Sequence, residues 1–168
     1  MTDARTTILG ALASTRTAPA HLAGYSGPVV SFADPVAAFR SALEAAGGSL
    51  RTFADAAALE SALVEAGRDA IVLRGGPAVA ESGAVWWVPR DHEQRRAGFL
   101  AERVIVVVAR ADLVADLHAA YQRIDPSAAP YSCFVAGPSK TADIEQALVI
   151  GAHGPRALAV FLWGPEGG

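Results

Sequence analysis

Apolar and polar residues alternate along the chain in blocks that predict helices and strands in turn. Apolar residues at helical spacing predict helices over 2–14, from Asp34 to the glycines at 47 and 48, from Asp55 to Gly67, and over 112–124. Apolar runs rich in β-branched residues predict strands at SLRTF, AIVL, GAVWWV, RVIVVV, YSCFVAG and ALAVFLW. This alternation predicts an α/β fold with three α/β/α layers and a mostly parallel central sheet.

Individual residues refine these elements. Asp34 followed by Pro35 predicts an N-cap and first helical turn. Apolar stripes are predicted on two further helices, from Leu59, Leu63 and Val64 and from Leu113, Leu117 and Tyr121. Trp86 and Trp87 point to opposite faces of a strand, so one is expected in the core and the other is a candidate wall of a pocket or interface. Residues 16–27 and RDHEQRR (90–96) are predicted loops, the second with Arg95 and Arg96 placed to close over an anion.

Composition narrows the class of protein. The 168 residues are 52% hydrophobic and 18% charged, which is typical of a globular chain, and no repeat or linker divides residues 1–168 into more than a single domain. A net charge of −3 argues against nucleic acid or anionic membrane as a partner. The apolar runs are too short to span a membrane and the N-terminus fits a signal peptide poorly, so a cytoplasmic protein is expected.

The chain is also poor in metal ligands. Its one cysteine, Cys133, excludes an internal disulfide and any cluster that needs several thiolates from this chain. The four histidines share no ligand spacing. We therefore expect no metal site and no cofactor in this chain.

The segment GPSKTADIE (137–145) follows a predicted strand and holds the single lysine, Lys140. Exposed N–H groups, two hydroxyls and a cation would suit a carboxylate or phosphate, and loops beyond the carboxyl ends of parallel strands are common ligand sites. It is not a P-loop, because Phe134 and Ser139 stand where that motif needs glycine. Asp143 and Gln146 resemble a capping pair, which predicts a helix over 144–150. A well-capped helix with a surface lysine is the alternative interpretation.

Two other segments carry candidate chemistry. In GAHGPR (151–156), His153 is a candidate general acid or base, or a loop histidine bonded to a carbonyl. In AESGA (80–84), Glu81 is a candidate base or nucleophile, or the cap of a turn. We predict that the loops at Ser139 and His153 share one cleft.

With AESGA, GPSKTADIE and GAHGP in this order, the chain resembles the LUD-domain family, and within it the lactate utilisation C proteins. The likeness covers roughly residues 34–163 and is strongest over 132–163. AESGA departs from the usual AETGT of the family, so that Ala84 lacks a hydroxyl. Arginine is common where Lys140 stands, which favours a charge contact over an amine nucleophile. The chain is shorter on its N-terminal side than the family leads us to expect.

The resemblance implies a fold similar to the sugar-phosphate isomerase and coenzyme A transferase superfamily. It also implies a role beside iron–sulfur proteins in the bacterial oxidation of L-lactate. The two loops together give a candidate anion site with the members Gly137, Ser139, Lys140, Thr141, Asp143, His153, Gly154 and Arg156.

Three functions stay open from the sequence. The first is an accessory or small-molecule-binding subunit of a lactate-oxidising system, with iron–sulfur partners. The second is a stand-alone acyl or coenzyme A transferase that uses Glu81. The third is a regulatory module for a small carboxylate. Each of these three functions is compatible with a homo-oligomer, and the sequence does not decide the oligomeric state.

Overall fold

Strands and helices follow one another along the chain, as the sequence predicts for an α/β domain. The structure is a computed structural model that describes residues 3–14, 30–66, 69–144, 147–151 and 153–165. Its helices are α1 (Ala4–Ser14), α2 (Pro35–Ala45), α3 (Ala56–Ala66), α4 (His92–Leu100) and α5 (Leu117–Tyr121). Its strands are β1 (Ser49–Phe53), β2 (Ile71–Arg74), β3 (Ala78–Val79), β4 (Ala84–Trp87), β5 (Arg103–Ala109), β6 (Leu113–Val114), β7 (Cys133–Val135), β8 (Lys140–Ile144), β9 (Ala147–Ile150) and β10 (Ala157–Trp163). The predicted loop over 16–27 and the predicted helix end at Gly67 lie outside the described residues.

The centre of the fold is a parallel sheet with the strand order β1, β10, β5, β2. β5 pairs with β10 along its full length. Its β-branched run suits this central place, because alternate side chains pack into the two layers that cover the sheet. The prediction of an α/β fold with a mostly parallel central sheet is confirmed.

Different layers cover the two faces of the central sheet. On one face, Leu59 of α3 packs against Ile105 and Phe161. On the other face lie Phe39 and Leu43 of α2, together with a second sheet of order β6, β3, β4, β7. The predicted strands GAVWWV and YSCFVAG pair antiparallel in this second sheet, which the sequence pattern did not distinguish from the central one.

The predicted helix starts at Asp34 and Asp55 are confirmed. One carboxylate oxygen of Asp34 accepts hydrogen bonds from the N–H groups of Val36 and Ala37, both at 3.0 Å. Asp55 accepts from the N–H of Ala58 at 2.8 Å. Each aspartate thereby satisfies N–H groups that have no partner inside the helix.

Three predicted local structures are wrong. The helix expected over 144–150 is a hairpin, in which Thr141 of β8 pairs with Val149 of β9. β-branched residues in both β8 and β9 favour strands, and this preference outweighs the weak capping signal at Asp143. Gln146 lies outside the described residues.

The other two errors concern helix positions. The helix expected over 112–124 is limited to Leu117–Tyr121. Its predicted first residues are not helical, because Leu113 pairs with Ala78 in the second sheet. The helix begins after Asp116, whose carboxylate accepts a hydrogen bond from the N–H of Ala119 at 2.7 Å. The loop expected over 90–96 is helical from His92, since Asp91 caps α4 through the N–H of Gln94 at 2.7 Å. In α3, Val64 is 70% exposed and is not part of the predicted apolar stripe. No helix in the described part of the chain is long and apolar enough to cross a membrane.

Candidate functional site

The loops that contain Ser139 and His153 share one cavity, as the sequence predicted. The cavity has a volume of about 250 Å³ and is lined by both loops, by the end of β4 and by the end of α4. The N–H of Ser139 donates to the carbonyl of Pro155, and the N–H of Gly151 donates to the carbonyl of Ser139, both at 2.9 Å. These backbone bonds hold the two loops in fixed register.

Gly154 brings the loops into close contact. A Cβ at this position would lie 2.9 Å from the Cβ of Ser139 and 3.2 Å from its hydroxyl oxygen. Only glycine permits this approach without a shift of the loops. Ser139 is half-buried between the loops, whereas His153 is exposed at the edge of the cavity.

Gly137 serves a second contact, with the end of α2. Its φ is +68°, and a Cβ would lie only 2.3 Å from the carbonyl oxygen of Ala46. The backbone at 137 therefore rests directly on the backbone of the α2 C-cap. The same residue also lines the cavity, so the position of this wall depends on the contact with α2.

Trp87 lines the cavity from the end of β4. Its side chain is buried, and its indole Nε1 has no hydrogen-bond partner among the described residues. From the sequence, either tryptophan was a candidate wall of a pocket. Both are buried, and Trp86 lines a different, more open cavity next to Phe134. The unpaired donor is thus a feature of the site that the sequence pattern alone did not reveal.

The cavity lies at the amino ends of the central strands. Its floor includes Val104 and Leu158, the second residues of β5 and β10. From the sequence, a site was expected beyond the carboxyl ends of parallel strands. That expectation is wrong because β7, which leads into GPSK, belongs to the second sheet.

The remaining members of the predicted anion site do not line this cavity. Lys140 is exposed, and its Cε and Nζ lie 3.3 and 3.4 Å from the position of a Cβ on Gly47, beside the end of α2. A cation is favourable there because the carboxyl end of a helix carries partial negative charge. Arg156 is exposed and packs over Gly151. Thr141 and the backbone of Asp143 belong to β8; the side chain of Asp143 lies outside what the structure describes.

Glu81 also lies away from this cavity. Its Oε1 accepts a hydrogen bond from the N–H of Leu117 at 2.9 Å, in the first turn of α5. Its own N–H donates to the carbonyl of Ala115 at 3.1 Å. The structure therefore gives Glu81 the role of a cap, which was the second interpretation of its sequence.

The predicted arginine pair has separate partners. Arg96 forms a salt bridge with Glu93 at 2.9 Å. The guanidinium of Arg95 lies 5.2 Å from the ring centre of Tyr131. The pKa of Tyr131 is raised to about 12, mainly by a hydrogen bond with Cys133 and to a smaller extent by burial.

Within residues 3–14, 30–66, 69–144, 147–151 and 153–165, no group of three or more histidine, cysteine or acidic side chains is placed to hold a metal ion.

Comparison with known proteins places these features in a family. Residues 57–163 match the family model described as LUD domain. Lactate utilization protein C of Geobacillus thermodenitrificans (strain NG80-2) is 37% identical over 90 residues, which cover 50% of this chain and 38% of that protein. Proteins of the same name from Geobacillus kaustophilus (strain HTA426) and Bacillus velezensis are 36% and 32% identical over 90 residues. Those matches cover 50% of this chain and 38% and 37% of the two relatives, so the chain spans less than two fifths of their length.

A solved structure has the same fold. The crystal structure of a DUF162 family protein from Deinococcus radiodurans matches with a TM-score of 0.56 and 19% sequence identity. The match covers 82% of this chain and 100% of that chain. At this identity the likeness concerns the fold and not the site.

Proposed function

Because the chain belongs to the LUD-domain family, we propose that it is a small-molecule-binding subunit of a bacterial system that oxidises L-lactate. The relatives named lactate utilization protein C support the choice of pathway. The observation that carries the binding role is the shared cavity. The two loops that the family resemblance singled out meet around it, and they are bonded to each other through Ser139.

We further propose that partner iron–sulfur proteins carry the electrons. A chain with one cysteine does not supply the several thiolates that hold a cluster. Binding of a small molecule is a task that this chain can perform with the cavity it has. The relatives are more than twice as long as the matched segment, so their additional parts are candidates for partner contacts.

The acyl or coenzyme A transferase alternative has less support. It needs a glutamate free to attack a substrate in a cavity. The carboxylate of Glu81 instead accepts from the N–H of Leu117, and Glu81 does not line the shared cavity. A mechanism that combines Glu81 with His153 in one cavity therefore has no geometric support.

Deletion of the gene tests the proposed function. The deletion strain should fail to grow on L-lactate, should grow normally on glucose, and should recover on lactate when the full coding sequence is restored. A tagged copy should also retain cysteine-rich iron–sulfur proteins from lactate-grown cells. Normal growth of the deletion strain on lactate, in an organism without a second copy of the gene, would contradict the proposal.

A further inference from the structure

A second cavity, which we call the arginine cavity, lies between the amino end of α4 and the segment 128–131. Its volume is about 530 Å³, and the charged or titratable residues Arg90, Asp91, His92 and Arg95 contribute to its lining. None of these four residues lines the shared cavity. Because the whole chain has a net charge of −3, two arginines and a histidine around one cavity are a local departure from its overall charge.

Arg95 spans the arginine cavity. It extends from the first turn of α4, and its guanidinium carbon lies 5.2 Å from the ring centre of Tyr131, which belongs to the opposite wall. The Tyr131 ring is itself in contact with the Phe99 ring, at a distance of 6.2 Å between the ring centres. Arg95 is also half-buried, so part of its conformational freedom is lost before any ligand binds.

The arginines that line this cavity have no acidic partner. Arg90 and Arg95 form no salt bridge within the described part of the chain, and their guanidinium groups donate no hydrogen bond there. The neighbouring Arg96, in contrast, is paired with Glu93 at 2.9 Å. Asp91 has its own role, since its Oδ1 accepts a backbone N–H of α4 at 2.7 Å. The two lining guanidinium groups therefore keep planar sets of N–H donors that match the oxygens of a phosphate or carboxylate.

We propose that the arginine cavity is a second ligand site, which binds the phosphate group of a small phosphate monoester. Arg90 and Arg95 donate hydrogen bonds to the phosphate oxygens. The organic part of the ligand packs on the apolar lining, which consists of Val88, Pro89 and Pro130. Val88 is 41% exposed, so it has apolar surface for a ligand to cover. This site is independent of the proposed function, because it uses a different cavity.

Charge and size select this class of ligand. A phosphate monoester carries a charge of about −1.5 to −2 at pH 7, which two guanidinium groups match, whereas a monocarboxylate would leave one of them unpaired. The charge of Asp91 is offset by the partial positive charge at the amino end of α4. The volume of about 530 Å³ lies within the ~300–1,000 Å³ that is typical of small-molecule sites. A phosphate with an organic part therefore fits this cavity better than inorganic phosphate does.

Titration of the purified full chain tests the inference. Phenyl phosphate is the probe, inorganic phosphate is the analogue without an organic part, and benzoate is the analogue with a single charge. At constant ionic strength, calorimetry should show phenyl phosphate binding more tightly than either analogue. Arg95→Gln should weaken the binding of phenyl phosphate about tenfold or more, because charge-assisted hydrogen bonds are lost. Arg96→Gln is the matched control on the same helix, and it should keep the wild-type affinity because Arg96 does not line the cavity.

The Nε–H signals of the arginines give a second measurement that does not depend on the stability of a variant. In ¹⁵N-labelled wild-type protein, phenyl phosphate should shift the signals of Arg90 and Arg95 and leave that of Arg96 in place. The inference would be overturned by absent binding of phenyl phosphate, by equal affinity for either analogue, or by an equal loss of affinity in Arg95→Gln and Arg96→Gln. Unmoved signals of Arg90 and Arg95 with the probe bound would also overturn it. Growth on L-lactate is measured separately, so a failure here and a failure of the proposed function are distinguishable.

Discussion

Substitution of Gly137 by alanine tests how the GPSK loop is held in place. Gly137 has a φ of +68°, a backbone conformation that costs an L-residue roughly 1–2 kcal/mol. The new Cβ would stand 2.3 Å from the carbonyl oxygen of Ala46. It must retreat by about 1 Å before it reaches an ordinary van der Waals separation. Because the obstacle is backbone at the end of α2, no side-chain rotation relieves it.

The two costs combine in one variant. Forcing extra volume into a packed contact costs about 1–3 kcal/mol, so Gly137→Ala should lower the free energy of unfolding by about 2–5 kcal/mol. For a chain of this size each kcal/mol lowers Tm by about 2–4 °C. The expected fall in Tm is therefore roughly 5–20 °C. Differential scanning calorimetry at fixed protein concentration measures it directly.

Gly47→Ala is the matched control. Gly47 also has a positive φ, +86°, but the atoms nearest to its Cβ position are the Cε and Nζ of Lys140, at 3.3 and 3.4 Å, and Pro138 Cδ at 3.4 Å. The end of a lysine side chain moves easily, so this variant should lose only the conformational part, about 1–2 kcal/mol. The difference between the variants measures the contact with Ala46. Equal Tm values for the two variants would refute the reasoning.

Two further predictions concern the surroundings of the site. Glu81→Ala should lower the free energy of unfolding by about 1 kcal/mol. Glu81→Gln should keep most of the stability, because an amide oxygen still accepts a hydrogen bond from the N–H of Leu117. Unchanged denaturation midpoints in both variants would contradict the capping role. Cys133→Ala should lower the pKa of Tyr131 from about 12 towards 10.0, measured by ultraviolet absorbance of the phenolate. In the wild type, Tyr131 of the unfolded chain loses its phenolic proton at a lower pH than Tyr131 of the folded chain. The free energy of unfolding should therefore fall as the pH rises from 10.0 to about 12. A Tyr131 pKa that is unaltered by Cys133→Ala would show that the hydrogen bond is not the cause of the shift.

Sequence patterns predicted the parts of the fold that depend on neighbours in the chain. Asp34 and Asp55 cap helices through N–H groups two or three residues away, so the chain itself encodes the contact. The central strands β5 and β10 are long apolar runs that suit burial on both faces. The shared cleft also followed, because Ser139 and His153 are separated by only a short hairpin.

The rest depended on contacts between distant segments. Glu81 and Leu117 are 36 residues apart, so the cap between them leaves no local pattern. The unpaired N–H of Trp87 is a property of its packed surroundings and not of its neighbours in the sequence. Asp143 shows the opposite failure, because a local capping signal was present but strand pairing of β8 with β9 prevailed.

The position of α2 explains why the AESGA and GPSKTADIE segments both contain a glycine. A Cβ on Gly83, in AESGA, would lie 2.4 Å from the N of Leu43, and a Cβ on Gly137 would lie 2.3 Å from the O of Ala46. Turns far apart in the sequence thus meet the same end of α2 through bare backbone, and glycine is the residue that allows it. These glycines accordingly serve the architecture, and substitution should change stability first. Ser139, in contrast, is half-buried and lines the cavity, so Ser139→Ala should change binding first.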